Sequence, residues 1–278
     1  MSSFHLFAQE RGLIIRHLET GKWVRVPTVD HPHKKNGSYF HGIDFAFVQN
    51  WALQEKVDVW QEEKIRTALE NADFARRVEE GKKKYAQERA EGQQKSALKA
   101  KWILAQCELD KHAYLDSKGF RDELGNVWRK DEQSPILVIP MFHCGEICGC
   151  QMIDTQGNKK FLYGQRTNDA CFHFDGRGKK FLVEGYATGL SLKTVLMAMK
   201  IKFSIYVCFS AGNLLRFARL NPDAFVLADN DASGTGLKVA KESGLKYFMS
   251  EVEGEDFNDL HKRAGTFKAG MMLLKGLG

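Results

Sequence analysis

Three apolar runs between Lys179 and Leu260 each lead into acidic residues, and this constrains the fold more than any other feature of the chain. Glu184 follows Phe181-Leu182-Val183, and Asp229 and Asp231 follow Phe225-Val226-Leu227-Ala228. Asp256 and Asp259 come shortly after Tyr247-Phe248-Met249. Short apolar runs alternating with helix-length segments predict a parallel sheet with flanking helices. The expected strands are 181–183, 203–208, 224–228 and 246–249. In an open α/β sheet the site lies outside the carboxyl ends of the strands. Three strand ends carrying carboxylates therefore predict one shared acidic cluster.

Such a cluster needs a cation. Two unit charges about 4 Å apart repel by roughly 4 kcal/mol at an effective dielectric near 20. Carboxylates are hard oxygen ligands that suit Mg²⁺ or Mn²⁺. Asp229 and Asp231 stand two residues apart, which puts them on one side if the strand continues that far; a turn relaxes that rule. Glu184 is a candidate ligand or general acid/base. A lone acid at any of these positions is equally a helix cap or a solvated turn, and it is the three ends together that point to chemistry.

The helix after Glu184 is expected to start near Thr188 as N-cap. Leu192, Val195, Leu196 and Met199 then form one buried stripe. Gly234-Thr235-Gly236 opens the next helix, where the glycines serve either phosphate contact through backbone amides or tight packing on the sheet. Residues 266–278 form a short apolar tail, open to packing on the core or to a partner.

Hydrophobic residues make up 43% of the 278 positions and charged residues 27%, enough apolar content for a core in a soluble chain. No run approaches the roughly 18 apolar residues of a membrane span. The first residues, MSSFHLFAQERGL, lack the pattern of a secretory signal, so a cytoplasmic location with reduced thiols is expected. A formal charge of +6 favours a polyanionic partner, with the positive charge lying away from the acidic cluster. Cys148 and Cys150 occupy a strand-like segment and lack paired C-x-x-C spacing, so buried thiols are expected and zinc is not.

Ahead of the acidic region, residues 1–65 suggest a small β-rich module. Strands are expected at 21–27 and 37–42, joined by a hairpin turn at Asn36-Gly37. Its aromatic and basic residues, among them Arg25, Lys34, Lys35, Tyr39 and Trp51, suit either a nucleic-acid surface or the module's own core. Residues 66–110 are dense in mixed charge and free of proline, which predicts a helical linker with a solvated face. Residues 111–178 show strands at Pro135–Pro140 and Gly145–Met152, then a strand-turn-strand from Ile153 to Leu162, an α+β subdomain. No G-x-x-x-x-G-K-S/T motif occurs, so these residues encode no P-loop motor.

Glu184-Gly185 and Asp229-Asn230-Asp231 match the two parts of the Toprim pattern, and the segment from Glu255 to Leu260 looks like the third acidic segment of Toprim primases. EGYATGLSL, SAGNL (Ser210–Leu214), ADND and DFNDLH resemble plasmid- and phage-type primases in wording and order. The flank from Tyr114 to Leu162 also resembles the primase subdomain that abuts Toprim. The resemblance implies a Toprim domain at 179–265 behind a primase subdomain at 111–178. It implies Glu184 in acid/base chemistry and divalent metal, Mg²⁺ or Mn²⁺, on Asp229, Asp231 and Asp256. Asn258, where other primases often place an acid, and Asp259 are further candidates. Lys160, before the aromatic Phe161, and Arg166 would meet template or nucleotide phosphate. Where family members often carry an arginine before the proline strand, this chain has Ser134-Pro135-Ile136. The implied activity is a DNA primase making short RNA from NTPs on single-stranded DNA in a bacterial host cytoplasm, with a replicative helicase on a separate chain. The alternatives are a Toprim nuclease and a non-catalytic DNA-binding Toprim protein.

Overall fold

The structure is a computed structural model that describes residues 3–51, 57–63, 67–129 and 134–277. The expected boundary at 65/66 falls outside these. The chain divides into two compact units, residues 1–86 and 87–278, and no helix among the described residues is long and apolar enough to cross a membrane.

The first unit holds α1 (Ser3–Glu10) and strands β1 (Trp23–Val26), β2 (Gly37–His41), β3 (Phe45–Asn50) and β4 (Asp58–Gln61), followed by α2 (Ala68–Ala105), which runs on into the second unit. The four strands form an antiparallel sheet in chain order. Side chains alternate across it, as the pleat requires. Tyr39, Ala46 and Val48 pack with Phe4 and Ala8 of α1, while Phe45 and Phe47 pack with Phe74 and Val78 of α2. β3 is buried on both faces. Gly81 lets α2 approach, since a Cβ there would come within 2.9 Å of the Phe47 ring. Both α1 and this burial of α2 were invisible as local signals. The predicted Asn36-Gly37 hairpin is incorrect: Val26 pairs with Gly37, so residues 27–36 make a longer connection and Gly37 lies within β2.

The second unit continues with β5 (Glu108–Asp110), α3 (Ala113–Ser117), β6 (Gly125–Trp128), β7 (Ile136–His143), β8 (Glu146–Ile153) and β9 (Lys159–Phe161). These five strands form an antiparallel sheet in chain order. One face, with Val138, Cys150 and Leu162, is covered by Ala100 and Ile103 of α2. The helix expected as a solvated linker therefore buries residues in each unit it traverses.

A second sheet follows: β10 (Phe172–Asp175), β11 (Lys179–Val183), α4 (Tyr186–Ala198), β12 (Phe203–Val207), α5 (Ala211–Leu220), β13 (Phe225–Ala228), α6 (Thr235–Ser243), β14 (Tyr247–Met249), α7 (Phe257–Ala264) and α8 (Thr266–Leu277). The strand order is β10-β12-β11-β13-β14, parallel except for the edge strand β10. Phe181, Val183, Ile205, Val207, Phe225 and Leu227 point to one face and join a core with α4, α7 and α8. Leu182, Val226 and Ala228 point to the other, beneath α5 and α6. The predicted stripe on α4 is buried at Leu192, Val195 and Leu196, and Met199 is partly buried against it. The apolar tail is α8, packed inward through Ala269 and Leu273. Leu137, Ile139 and Ile153 of the antiparallel sheet share this core, and Phe142 exchanges backbone hydrogen bonds of 2.8 and 3.0 Å with Cys171 to tie the sheets together.

Candidate active site

β11 is the point at which the parallel sheet changes direction. The chain passes from β11 through α4 to β12 on one side, then returns through α5 to β13 on the other. Connections that leave adjacent strands in opposite directions open a crevice at their carboxyl ends. Glu184 leaves β11 there and Asp229 leaves β13. Asp256, after β14, caps α7 by accepting from the Asp259 amide at 2.8 Å.

These three carboxylates line one pocket of about 170 Å³. Tyr114, Lys118, Gln151, Lys159 and Phe209 line it too, together with Gly185, Ala187 and Thr188 at the start of α4. The helix begins at Tyr186 with Gly185 as cap, so the expected cap at Thr188 is incorrect. Thr188 lies instead in the first turn, where free backbone N–H groups favour negative charge. Phe209 adopts φ +64°, uncommon for a bulky residue. Its backbone N–H donates to the Glu184 carbonyl at 2.9 Å. Asn213, the asparagine of SAGNL, holds the preceding Cys208 carbonyl at 2.8 Å and the Ala170 carbonyl at 2.6 Å.

The carboxylates experience unlike environments. Burial, and then Asp256, Glu184 and Asp231, push the Asp229 carboxyl up to about 7, against the pull of Lys159. One of its oxygens, Oδ1, is buried without a hydrogen-bond partner. Burial and then Asp231 raise Glu184, again opposed by Lys159. Asp231 goes the other way. Ser233 and the backbone amides of Ser233, Thr235 and Gly236 hold its carboxyl below the usual range, with Gly236 donating at 2.8 Å. β13 ends at Ala228, so Asp229 and Asp231 are placed by a turn, and Asp231 does not line the pocket. Its carboxylate occupies the amides at the start of α6. Gly236 serves close packing: a Cβ there would lie 1.9 Å from the Asp229 carbonyl oxygen.

Asn258 is fully buried and lies outside the pocket lining. Its amide donates to the Lys118 carbonyl at 2.9 Å and to Ser191 at 3.0 Å. Asp259 is also outside the lining. Arg166 turns to the Asn168 carbonyl at 3.0 Å and to Asp169 at 3.5 Å, and it too stays out of the pocket. In β9 the pocket residue is Lys159, with Lys160 absent from the lining. The register explains this. Lys159 pairs with Ile153 and Phe161 with Gln151, whereas Lys160 pairs with Met152. Residues two apart share a face, so Lys159 and Gln151 face the same side and Lys160 the opposite one. Lys159 remains largely exposed as a residue, yet burial of its ammonium and then Lys118 lower its pKa, while Asp256, Asp229 and Glu184 raise it.

The donor set suits a hard divalent cation. It consists of oxygen atoms, it includes the orphaned Asp229 Oδ1, and its mutual repulsion is what a cation relieves. Among the described residues no set of three or more His, Cys, Asp and Glu side chains is arranged to hold a metal alone. Magnesium does not require one, because it binds through one or two carboxylates and retains water or substrate oxygens. The six cysteines are free thiols; Cys150, Cys171 and Cys208 are buried.

No protein-family model matches the chain. Among solved structures the chain is similar to one in the structure of bacteriophage T7 lagging-strand DNA polymerase interacting with primase domains of two gp4 subunits bound to an RNA/DNA hybrid and dTTP. The identity is 18% and the TM-score 0.41, over 62% of this chain and 87% of that one. It is also similar to the primase fragment of the bacteriophage T7 primase-helicase protein, at 17% identity and a TM-score of 0.41, over 60% and 69% of the two chains. A DNA primase domain from Pseudomonas aeruginosa gives 14% and 0.33, over 60% and 55%. At identities and scores this low the likeness carries no functional argument, and the pocket itself must.

Proposed function

We propose that the chain is a Toprim-class DNA primase that joins NTPs into short RNA on a single-stranded DNA template. The observation that carries this reading is the convergence of Glu184, Asp229 and Asp256 with Lys118 and Lys159 in one pocket, at the sheet's switch point. The motif order of the plasmid- and phage-type primases supports it. Asp229 and Asp256 would hold magnesium or manganese, which when bound supplies Lewis acidity toward phosphoryl oxygens. Glu184, whose carboxyl burial and then Asp231 raise above its ordinary value, accepts the proton of an attacking 3′-hydroxyl as a positioned general base. The Lys159 ammonium keeps Glu184 and Asp229 ionised more readily than burial alone would allow. Asp231 fixes the start of α6 and adds negative field without touching substrate. Phe209, whose N–H donates to the Glu184 carbonyl and whose preceding Cys208 carbonyl accepts from Asn213, forms one wall of the pocket. A helicase partner on a separate chain and work in a bacterial cytoplasm belong to the same proposal.

Incubating the purified protein with Mg²⁺, labelled NTPs and single-stranded DNA tests it. Extended products are expected, and Asp229→Asn and Glu184→Gln should each lower their yield about a hundredfold or more while the fold is kept. Shortened DNA would mean a nuclease, and tight DNA binding without metal-dependent chemistry a binding protein. Full synthesis by either variant would refute the assignment of roles.

A further inference from the structure

The amino ends of the parallel strands form a rim at the end of the sheet opposite the carboxylate pocket, and the charge there has the opposite sign. β11 begins at Lys179, while Lys202 and Lys246 immediately precede β12 and β14. β10 runs the other way, so its end at Asp175, paired with Ser204, lies on the same rim. Arg177 and Lys180 flank Lys179, and Lys200 occupies the turn between α4 and β12. Six cations thus meet two acids, Asp175 and Asp223, along the strand starts. β11 extends from Lys179 to Val183, which sets the rim about 16 Å from Glu184 at strand spacing. Salt shortens the reach of charge to about 10 Å at 0.1 M, so the acidic pocket leaves the positive field of the rim standing.

Close backbone packing fixes the rim. A Cβ on Gly178 would lie 2.0 Å from the Lys202 carbonyl carbon, and one on Gly176 would lie 2.3 Å from the Phe203 carbonyl oxygen. The Lys179 N–H donates to the Lys202 carbonyl at 3.1 Å. The turn carrying Arg177 therefore rests on the start of β12. Arg177 at φ +50° and Lys200 at φ +56° both take left-handed backbone, which long side chains seldom adopt. Both acids of the rim are engaged. Asp175 accepts from the Arg177 amide at 3.2 Å, and Asp223 pairs with Lys180 at 3.4 Å. Arg177, Lys200 and Lys202 are exposed, and their side chains form no salt bridge among the described residues. No aromatic residue occurs at 175–180, 199–202, 221–224 or 244–246. Surfaces for single strands add aromatic stacking to positive charge, whereas a cationic rim without it meets phosphates alone and reads no sequence. Four strand starts span about 14 Å, enough to reach phosphates on both sides of a major groove about 12 Å wide.

We propose that this rim, centred on Arg177, Lys200 and Lys202, is a second nucleic-acid surface that holds the phosphate backbone of a duplex, remote from the carboxylate pocket. The proposal goes beyond the polymerase reading and stands without it. A fluorescently labelled DNA duplex of mixed sequence is the probe, titrated with the full chain at several salt concentrations. The combined variant Arg177→Asn, Lys200→Asn, Lys202→Gln removes three charges, and asparagine accepts the left-handed backbone. It should bind the duplex about a hundredfold or more weakly at 0.1 M salt, and the slope of log affinity against log salt should shrink by about 2–3. Its melting temperature should match the parent's. Should the combined variant fail to fold, Lys202→Gln alone is read instead, with a slope smaller by about 1; it is the Lys202 backbone, not its side chain, that receives the turn. The comparison variant Lys82→Gln, Lys83→Gln, Lys84→Gln changes net charge equally at exposed positions of α2 and should keep the parental slope. An unchanged slope in the rim variant overturns the proposal, as does an equal loss in the α2 variant, which would reduce the effect to net charge. A loss confined to single-stranded DNA overturns it too. So does polyglutamate that competes as well as duplex does, since the rim would then fit an acidic protein. Primer synthesis tests the pocket separately: a protein that makes no RNA yet loses duplex through the rim variant keeps this surface and forfeits the polymerase assignment.

Discussion

In the first unit Trp23 lies on Phe47 and Tyr85, and Phe4 lies on Tyr39, His41 and Trp60. In the second unit Glu184, Asp229 and Asp256 crowd a pocket in which one carboxylate oxygen has no partner. Of the aromatic residues that suggested a stacking surface, Tyr39 packs against Phe4 and Trp51 lies beneath the Arg25 guanidinium, whereas the acids that suggested a site are held under mutual repulsion. Packing of the first kind yields stability that is indifferent to protonation. Repulsion of the second kind survives because the surrounding sheet and helices over-determine it, and it marks the place where a cation or substrate is expected.

The largest contrast lies in the cores. Phe47→Ala should destabilise the first unit by about 3–5 kcal/mol in urea unfolding. That loss should be the same at pH 6 and pH 8, since no titrating group is involved; a strongly pH-dependent loss would blur the distinction.

Asp229→Asn should show the opposite sign. The folded carboxyl sits at about 7 against 3.8 for the free side chain. The folded state therefore binds the proton more tightly than the unfolded state does. Stability falls as pH rises from about 4 to about 7 and stays low above that range. At pH 8, without metal, Asn should raise stability by up to about 4 kcal/mol. Below pH 4 parent and variant should coincide. Equal stabilities at pH 8 would mean that the acids are not under strain.

Asp231 gives the smallest effect and a third behaviour. Its carboxylate caps α6 and is stabilised there, so Asp231→Ala should cost about 1 kcal/mol at neutral pH. Because its folded pKa is depressed, the contribution is present above the free side chain's value and is lost as pH falls through the folded one. A stabilising Asp231→Ala would place Asp231 in the strained group with Asp229.

The parallel strands could be read directly, because each is a short, mainly apolar run between helix-length segments, and β11 and β13 run straight into Glu184 and Asp229. β10 escaped notice because Phe172-His173-Phe174-Asp175 is a half-buried edge that mixes polar and aromatic residues. Asn36-Gly37 misled because a turn-prone pair shows where a chain is able to reverse, and here tertiary pairing placed Gly37 in a strand. Of the candidate residues, Glu184, Asp229 and Asp256 lie in the pocket because strand ends converge by topology. Lys159 and Lys160 differ only in parity. That parity is set by the turn from Asp154 to Asn158, where Asp154 accepts from the amides of Gln156 and Asn158 at 3.0 and 2.8 Å. Tyr114 and Lys118 reach the pocket from a different sheet system, so no local pattern connects them to the acids. The resemblance of the flank from Tyr114 to Leu162 covered both residues without giving them a role.

Manganese titrated calorimetrically into the metal-free protein at pH 8 tests the central claim most directly. Saturable binding is expected in the parent protein, accompanied by a rise in melting temperature, with both abolished in Asp229→Asn and retained in Asp231→Ala. Absence of binding in the parent, or binding that persists unchanged in Asp229→Asn, would contradict the account.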